Sequence, residues 1–305
     1  MGDRPQPTID EVVGRVSVWR GLEVACSPLA GGLTNENWVV EAGGSKYVVR
    51  IPGASTELLA VDRVNERANA EAAARTGVSP RIVDYLDDVS VMVLEFIPGE
   101  TMSGERLREP GMAVRMAESL RRLHAGPRFR TDFDMFGLVE YYLWIAAQHG
   151  IRIPDGFEQR VDGLADVQRA LLVHALPTVP SHNDLMAQNY IDDGRQLWII
   201  DFEYSGNNDP CFDLADTALE CEFDETGRAD LCRAYFGRDD EVQLARMGLF
   251  ALMADVGWTL WAAIQAKISA IHYDFWGWAL ERWDRAELAM DPGRLRPLLE
   301  AAARS

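Results

Sequence analysis

The amino-acid sequence predicts an α+β protein built as two lobes, a small antiparallel β-sheet N-lobe and a large, mainly helical C-lobe. Short apolar alternations broken by glycines fill residues 22–96, which is the pattern of antiparallel strands. Apolar residues at helical spacing dominate the chain after residue 100. Between these parts, Pro98-Gly99 ends the last strand, so we predict a hinge there and a boundary between residues 1–97 and 98–305.

The predicted N-lobe begins with an amphipathic helix over residues 8–20, in which Thr8 is the N-cap and Glu11 its capping-box partner. A second, alanine-rich helix is predicted over residues 62–74, ending near Gly77. The strands of the predicted sheet are residues 22–24, 38–41, 47–51, 83–85 and 91–96.

The predicted C-lobe contains one segment with the length and composition of a membrane span. Residues 247–266 carry a single charge, Asp255, over a length close to a bilayer crossing. Gly257, Gln265 and the amphipathic helices on both sides favour a buried core helix instead, so we expect no membrane span. The predicted helices are residues 110–125, 139–148, 156–175, 214–221, 230–236, 239–270, 273–291 and 294–305.

Charge and cysteine content narrow the functional class. The net charge of −18 argues against binding to the phosphates of nucleic acid. The four cysteines form neither a C-x-x-C pair nor a zinc spacing, which is typical of reduced core thiols in a cytoplasmic protein. Residues 1–10 contain no apolar signal segment. The oligomeric state stays open, with a homodimer as one option.

The polar stretch over residues 180–213 carries the strongest functional signal. Asp184 and Asn189 are five residues apart in one loop, and Asp201 and Glu203 follow an apolar run that predicts a buried strand. Phosphoryl transfer needs one carboxylate to accept the proton of the acceptor hydroxyl, and oxygen ligands to hold Mg²⁺ against nucleotide phosphates. Turn formation explains each residue singly, but it explains the combined spacing less well.

Four N-lobe features fit a nucleotide site, and the first three also have a simpler explanation. The glycine-rich turn over residues 29–37 lets backbone amides approach phosphate oxygens, although a plain hairpin turn is favoured on this segment alone. Arg50 ends an apolar strand, where it either binds phosphates or reaches solvent. Glu66 is its candidate partner, with an exposed ion pair as the alternative. The main chain at Glu95 and Ile97, in the hinge, is the candidate partner for an adenine edge.

Six motifs follow one another along most of the chain: LAGGLTNENW, YVVRIPG, LEFIPGE, SHNDLMAQN, IDFEYSGNNDPCFDLA and WTLWAAIQAKIS. Together they resemble the choline and ethanolamine kinases, within the wider aminoglycoside-phosphotransferase-like group of the protein-kinase-like fold. The motifs IDFEYSG and WxxWxxxQAKIS are specific to the choline and ethanolamine kinases. The H-R-D, D-F-G and G-x-G-x-x-G signatures of protein kinases are missing, which favours a small-molecule acceptor.

The resemblance implies ATP and Mg²⁺ as cofactors, with a nucleotide-binding N-lobe and a C-lobe that holds the catalytic loop and the substrate pocket. It implies that Asp184 is the general base, that Asn189 and Asp201 are Mg²⁺ ligands, and that Glu203 lies near a second metal ion. Arg50 takes the role of the phosphate-binding cation. The nucleotide-site residues expected in total are Gly31, Gly32, Thr34, Asn35, Arg50, Glu66, Glu95 and Ile97.

The expected substrate is a small cationic alcohol, choline or a similar compound. A quaternary ammonium donates no hydrogen bond, so aromatic faces and a carboxylate must hold it. By resemblance, its pocket is lined by Asp184, Tyr204, Glu220, Trp258, Trp261 and Trp278. Tryptophans at helical spacing are otherwise typical of a core, which is how we interpret Trp276. Trp278 stands where eukaryotic members carry Tyr, which weakens the choice of choline over ethanolamine.

The expected reaction is therefore transfer of phosphate from ATP to choline, giving phosphocholine. Two alternatives stay open. One is a phosphotransferase of the same fold that acts on ethanolamine or an aminoglycoside. The other is a catalytically inactive binding protein, which the presence of Asp184, Asn189 and Asp201 disfavours.

Overall fold

The computed structural model describes residues 6–29, 31–53 and 56–304. Its N-terminal part contains five strands: β1 (Val24–Leu29), β2 (Glu36–Ala42), β3 (Ser45–Ile51), β4 (Ile82–Leu86) and β5 (Val91–Glu95). They form one antiparallel sheet in the order β1-β2-β3-β5-β4. The predicted antiparallel sheet is confirmed, although its first strand begins at Val24 and not at Leu22.

Helix α1 (Ile9–Arg15) packs on one face of this sheet, where Val12 and Trp19 join Val49 and Val93 in an apolar cluster. The predicted capping box is confirmed, because Thr8 and Glu11 bond each other's backbone amides. The predicted extension of the helix to residue 20 is wrong, since the backbone turns extended at residue 16 before a short 3₁₀ turn.

Helix α2 (Arg63–Ala74) follows β3 and carries Glu66 in its first turn. Asp62 caps it by accepting hydrogen bonds from the amides of Val64 at 2.9 Å and Asn65 at 3.1 Å. Because successive strand residues point to opposite faces, Val49 packs with α1 while Arg50 points into the cavity described below. The sheet thus separates an apolar face from a polar, functional face.

The C-terminal part is mainly helical, as predicted. Its helices are α3 (Gly104–Leu107), α4 (Met112–His124), α5 (Met135–His149), α6 (Phe157–Val161), α7 (Ala165–Val173), α8 (Pro210–Glu220), α9 (Glu225–Phe236), α10 (Glu241–Ile268), α11 (Phe275–Ala289) and α12 (Pro292–Ala302). The prediction of one helix over residues 156–175 is wrong, because a 3₁₀ turn over Asp162–Leu164 separates α6 from α7.

Helix α10 is the central helix of this part and packs against α5, α8, α11 and α12. It is long and apolar enough to cross a membrane, with a mean hydropathy of 1.5 over its most apolar window, yet 89% of that window is buried inside the protein. The helix predicted around residues 247–266 therefore lies in the core, and its apolar residues contact other helices.

The polar stretch that follows α7 contains four short strands, and a fifth short strand, β6, pairs with one of them. Strands β6 (Glu100–Thr101), β8 (Tyr190–Asp192) and β9 (Leu197–Ile199) form a three-stranded sheet, and β7 (Val179–Ser181) pairs with β10 (Gly206–Asn208). Only β9 was predicted. The predicted boundary after residue 97 falls between β5 and β6, and as a domain boundary it stays a prediction.

Three predictions fall partly outside the described residues. The absence of a signal segment concerns residues 1–5 as well as described ones, and the glycine-rich turn includes residue 30. The last predicted helix also extends to residue 305, which lies outside, whereas α12 ends at Ala302.

The contact between α10 and α5 gives a stability prediction. A Cβ atom on Gly257 would lie 2.1 Å from Met135 Sδ, so the two helices approach closely because this residue has no side chain. We expect Gly257→Ala to lower the free energy of unfolding by about 1–3 kcal/mol through overpacking. The matched control is Gly14→Ala in α1, where nothing lies within 4 Å of the new atom. Urea denaturation measures both, and equal stabilities would contradict this interpretation of the helix contact.

Candidate active site

A cavity of about 430 Å³ lies between the antiparallel sheet and the helical part. At one end it is lined by the predicted nucleotide residues Gly31, Gly32, Thr34, Arg50, Glu95 and Ile97. The polar stretch contributes Asp184, Asn189, Asp201 and Glu203, and the other end is lined by Tyr204, Trp258, Trp261 and Trp278. Three predicted site residues, Asn35, Glu66 and Glu220, do not line it.

The loop that carries Asp184 is held from below by a buried carboxylate of α8. Asp213 accepts hydrogen bonds from the backbone amides of His182 at 2.9 Å and Asn183 at 2.8 Å. His124 Nε2 lies 2.9 Å from the same carboxylate. Asn183 has a left-handed backbone, with φ of 66°, so the chain turns sharply just before Asp184. This anchoring aims the Asp184 side chain into the cavity.

Asn189 and Asp201 lie at the same end of the antiparallel pair β8–β9, because Asn189 precedes β8, Asp201 follows β9, and Tyr190 pairs with Ile199. Asn189 Nδ2 donates to the carbonyl of Asp184 at 2.8 Å, and this bond orients the amide so that its oxygen is available as a ligand. Asp201 lies two residues after the end of β9. Its φ of 72° is strained for a residue with a side chain. His182 Nε2 lies 2.8 Å from the carbonyl of Ile200 and supports this turn.

Arg50 is the centre of a buried charge network. Its Nη2 lies 2.5 Å from Asp201 Oδ1 and 3.0 Å from Glu203 Oε1, and its Nη1 lies 3.3 Å from Glu66 Oε1. The predicted pair of Arg50 and Glu66 is therefore present, although Arg50 also bonds both carboxylates that follow β9. A second arginine, Arg63, bonds Glu66 and Glu203 at 2.7 and 2.5 Å.

Burial raises the pKa values of these acids, whereas the two arginines lower them. Burial raises the pKa of Asp184 well above its usual value, with further raising by the charges of Asp201 and Glu203. Burial also raises the pKa of Asp201 and exceeds the lowering by Arg50. For Glu203, burial is outweighed by Arg50 and Arg63, so its pKa lies below the usual value.

The donor atoms of this network suit a hard cation. An amide oxygen of Asn189 and the carboxylate of Asp201, whose side chain is 30% exposed, are the oxygen ligands that Mg²⁺ takes. Glu203 Oε1 already accepts from Asn35, Arg50 and Arg63, so a metal ion would use its other oxygen. Within residues 6–29, 31–53 and 56–304 no three His, Cys, Asp or Glu side chains form a ready-made metal cluster.

The end of the cavity that adjoins the sheet combines a left-handed glycine turn with the main chain around Ile97. Gly31 and Gly32 have φ values of 106° and 93°, and a Cβ on Gly32 would lie 2.9 Å from Asn37 Nδ2, so glycine is required there. Gln265 of α10 donates to the carbonyl of Leu33 at 2.9 Å and ties the turn to the helical part. At the hinge, the amide of Ile97 has no hydrogen-bond acceptor among the described residues.

The other end of the cavity is walled by aromatic rings whose polar atoms bond one another. Trp261 Nε1 donates to the Tyr204 hydroxyl at 2.6 Å, and that hydroxyl donates to the carbonyl of Leu59 at 3.2 Å. The ring of Tyr204 meets Trp258 edge-on at 5.0 Å, and Trp261 meets Trp278 in the same way at 5.6 Å. The wall therefore presents mainly rings to the cavity.

Glu220, expected as the substrate carboxylate, is paired with Arg282. Its two oxygens accept from Arg282 Nη1 and Nη2, both at 2.7 Å. Arg282 lines the cavity and lies 4.1 Å from the ring centre of Trp278. The pair neutralises Glu220, and its role in substrate binding stays a prediction.

The sequence-based analysis missed four residues of this site. Arg63 precedes Glu66 by three residues and Arg282 follows Trp278 by four, so helical spacing was an available signal for both. Asp213 ends the polar stretch and Asp216 lies three residues beyond it, and only the fold brings them beneath the Asp184 loop.

Comparison with known proteins agrees with this geometry. Residues 25–250 match the model of the phosphotransferase enzyme family. A solved choline/ethanolamine kinase family protein from Mesorhizobium loti is 33% identical with a TM-score of 0.83, covering 97% of this chain and 99% of that chain. The chain belongs to the choline/ethanolamine kinase family.

Two further proteins are also similar in sequence to this choline/ethanolamine kinase family member. Protein LicA of Haemophilus influenzae is 29% identical, with 84% of this chain and 77% of that protein covered. Ethanolamine kinase 1 of Homo sapiens is 26% identical, with coverage of 88% and 68%. The protein is thus a phosphotransferase with an alcohol acceptor and the predicted bilobal, protein-kinase-like fold.

The anchoring of the Asp184 loop gives a testable prediction. Asp213→Asn replaces one acceptor oxygen by a donor that faces a backbone amide, so the loop must shift. We expect kcat to fall by about 10- to 100-fold, because small displacements of a catalytic group are costly. The control is Asp166→Asn, an exposed partner of Arg169. Unchanged turnover of folded Asp213→Asn with choline and with ethanolamine would contradict the anchoring role.

Proposed function

We propose that the protein transfers the γ-phosphoryl group of ATP to the hydroxyl of choline. The observation that supports this proposal is one cavity shared by Asp184, Asp201 and a wall of aromatic rings. A phosphoryl donor at the glycine turn and a cationic alcohol at the rings would meet at the Asp184 carboxylate. Cys26, Cys211, Cys221 and Cys232 are free thiols, which agrees with a cytoplasmic enzyme.

In the proposed reaction, the choline hydroxyl oxygen forms a bond to the γ-phosphorus while the bond from that phosphorus to the bridging oxygen of ADP breaks. Asp184 orients the hydroxyl and accepts its proton. Its raised pKa matches this task, because a stronger base is favoured as proton acceptor. Arg50 binds the phosphates, and the amide of Ile97 donates to the adenine edge.

Mg²⁺, when bound, supplies positive charge that neutralises the transferring phosphoryl group. Asn189 and Asp201 would hold it, and the second oxygen of Glu203 is available nearby. The protein's own contribution is positioning: the Asp213 anchor fixes the base, and the strained backbone at Asp201 fixes the ligand.

The aromatic wall supports choline over ethanolamine. A primary ammonium has three N–H donors, and each donor left unpaired on burial costs about 1–3 kcal/mol. The Tyr204 hydroxyl and both oxygens of Glu220 already have partners. A trimethylammonium group needs no acceptor and gains cation–π contact of about 0.5–2 kcal/mol with an indole. The wall is thus better matched to the methylated cation.

The role of Asp184 is tested by Asp184→Asn, which keeps the shape of the side chain and removes the base. We expect kcat to fall by about 10²- to 10⁴-fold with a small change in the KM for ATP. Steady-state kinetics with coupled ADP detection measures both constants, with Asp166→Asn as the control. Near-normal turnover would remove Asp184 from the proposed role.

The acceptor is tested by a methylation series from ethanolamine through its mono- and dimethyl derivatives to choline. We expect kcat/KM to rise along the series, by about 10-fold or more in total, because each methyl group removes a donor that lacks an acceptor. The highest value for ethanolamine would overturn the choice of choline and leave the family assignment intact.

Two neighbouring tryptophans of α11 provide the matched variants for this series. Trp278→Leu removes a ring that lines the cavity, and we expect the KM for choline to rise about 2- to 30-fold with little change for ATP. Trp276 stacks with Arg152 at 4.2 Å and does not line the cavity, so Trp276→Leu should keep the wild-type KM values. Equal changes for choline and ATP would contradict the aromatic cage.

A further inference from the structure

Two arginines, Arg50 and Arg63, share three carboxylates at one end of the cavity. Arg50 contacts all three, namely Glu66, Asp201 and Glu203, at 3.3, 2.5 and 3.0 Å. Arg63 contacts Glu66 at 2.7 Å and Glu203 at 2.5 Å, and within the described part of the chain it forms no ion pair with Asp201. Arg63 therefore duplicates two of the three contacts that Arg50 makes.

The proposed reaction requires Arg50 to give up at least one of these contacts. Its Nη2 bonds Asp201, which has to be available as a metal ligand, and Arg50 itself has to reach the nucleotide phosphates. Glu66 and Glu203 have side chains that are only 4% exposed. A buried carboxylate that loses its cation is strongly destabilised, so an unassisted movement of Arg50 would be opposed by both acids.

Arg63 is placed to remove that opposition. It begins α2, does not line the cavity, and bonds both buried acids without occupying Asp201. After Arg50 moves, Glu66 and Glu203 still share one guanidinium, while Asp201 is left for a metal ion. Arg63 Nη2 also donates to Asn35 Oδ1 at 3.1 Å, and Asn35 Nδ2 donates to Glu203 at 2.8 Å, so the same side chain connects the glycine-rich turn to this group.

We propose that Arg63 is a positioning residue of the nucleotide site, which keeps Glu66 and Glu203 paired so that Arg50 is free to bind phosphate. Arg63 acts through its neighbours and does not contact the nucleotide. The inference rests on the proposed nucleotide site and is independent of which alcohol is phosphorylated. It predicts that loss of Arg63 holds Arg50 on the acids and weakens nucleotide binding.

The test is direct binding of a non-hydrolysable ATP analogue with Mg²⁺, measured by titration calorimetry. We expect Arg63→Gln to weaken binding of this probe about 10-fold or more while choline binding, measured without nucleotide, stays unchanged. Arg67→Gln is the matched control, because Arg67 lies one turn further along α2 and pairs with the exposed acids Glu71 and Asp87. Wild-type affinity of folded Arg63→Gln for the analogue would overturn the proposal.

A double variant separates charge balance from simple loss of structure. If Arg63 acts by neutralising the two acids, removing one negative charge in Glu66→Gln together with Arg63→Gln should restore part of the lost affinity. No restoration, together with an equal loss of choline binding, would indicate a general structural role and contradict the proposal. Where Arg63→Gln does not fold, Arg63→Lys decides, because lysine keeps the charge but cannot bridge the acids and Asn35. Intermediate affinity supports the proposal and wild-type affinity contradicts it.

The outcomes also separate this inference from the proposed function. If the wild-type protein binds the Mg²⁺–analogue complex with an Arg63-dependent affinity but does not phosphorylate choline, the acceptor is wrong and the positioning role stands. If the wild-type protein does not bind the analogue at all, both the nucleotide site and the role of Arg63 are overturned.

Discussion

The hydrogen bonds from two backbone amides to the buried carboxylate of Asp213 are the interaction on which the rest of the site depends. They join the loop before Asp184 to α8, and α8 packs against the central helix α10. A second acid of α8, Asp216, accepts the amide of Leu185 at 2.5 Å and lies 3.3 Å from Trp258 Nε1. One helix thereby supports both the Asp184 loop and the aromatic wall.

The two ends of the cavity differ in the charge of the side chains that surround them. At the glycine-turn end, the three acids Glu66, Asp201 and Glu203 share two arginines, which leaves a net negative charge. At the aromatic end, polar atoms bond one another, and Glu220 is neutralised by Arg282. The first end therefore presents charged groups, whereas the second presents mainly aromatic rings.

Local sequence patterns were sufficient for the fold class and for the polar stretch around Asp184, because strand alternation, helical spacing and the D-x-x-x-x-N spacing are local signals. The aromatic wall was expected only from the family resemblance, since tryptophans at helical spacing are otherwise typical of a core. Local patterns were insufficient for the contacts of Arg63 with Glu203, of Arg282 with Glu220 and of Asp213 with the Asp184 loop, because these partners lie far apart in the chain. Short strands such as β7 and β10 were also missed, since three residues carry too little periodicity. The state of Glu220 is likewise a tertiary property, because its neutralising arginine lies on α11.

The bond between Gln265 and the carbonyl of Leu33 gives α10 a mechanical role. The same continuous helix carries Trp258 in the aromatic wall and, about 10 Å further along its axis, grips the glycine-rich turn. The distance between the aromatic wall and the glycine-rich turn is therefore set along one continuous helix. Any displacement of the turn away from the wall has to break the Gln265 bond or bend α10.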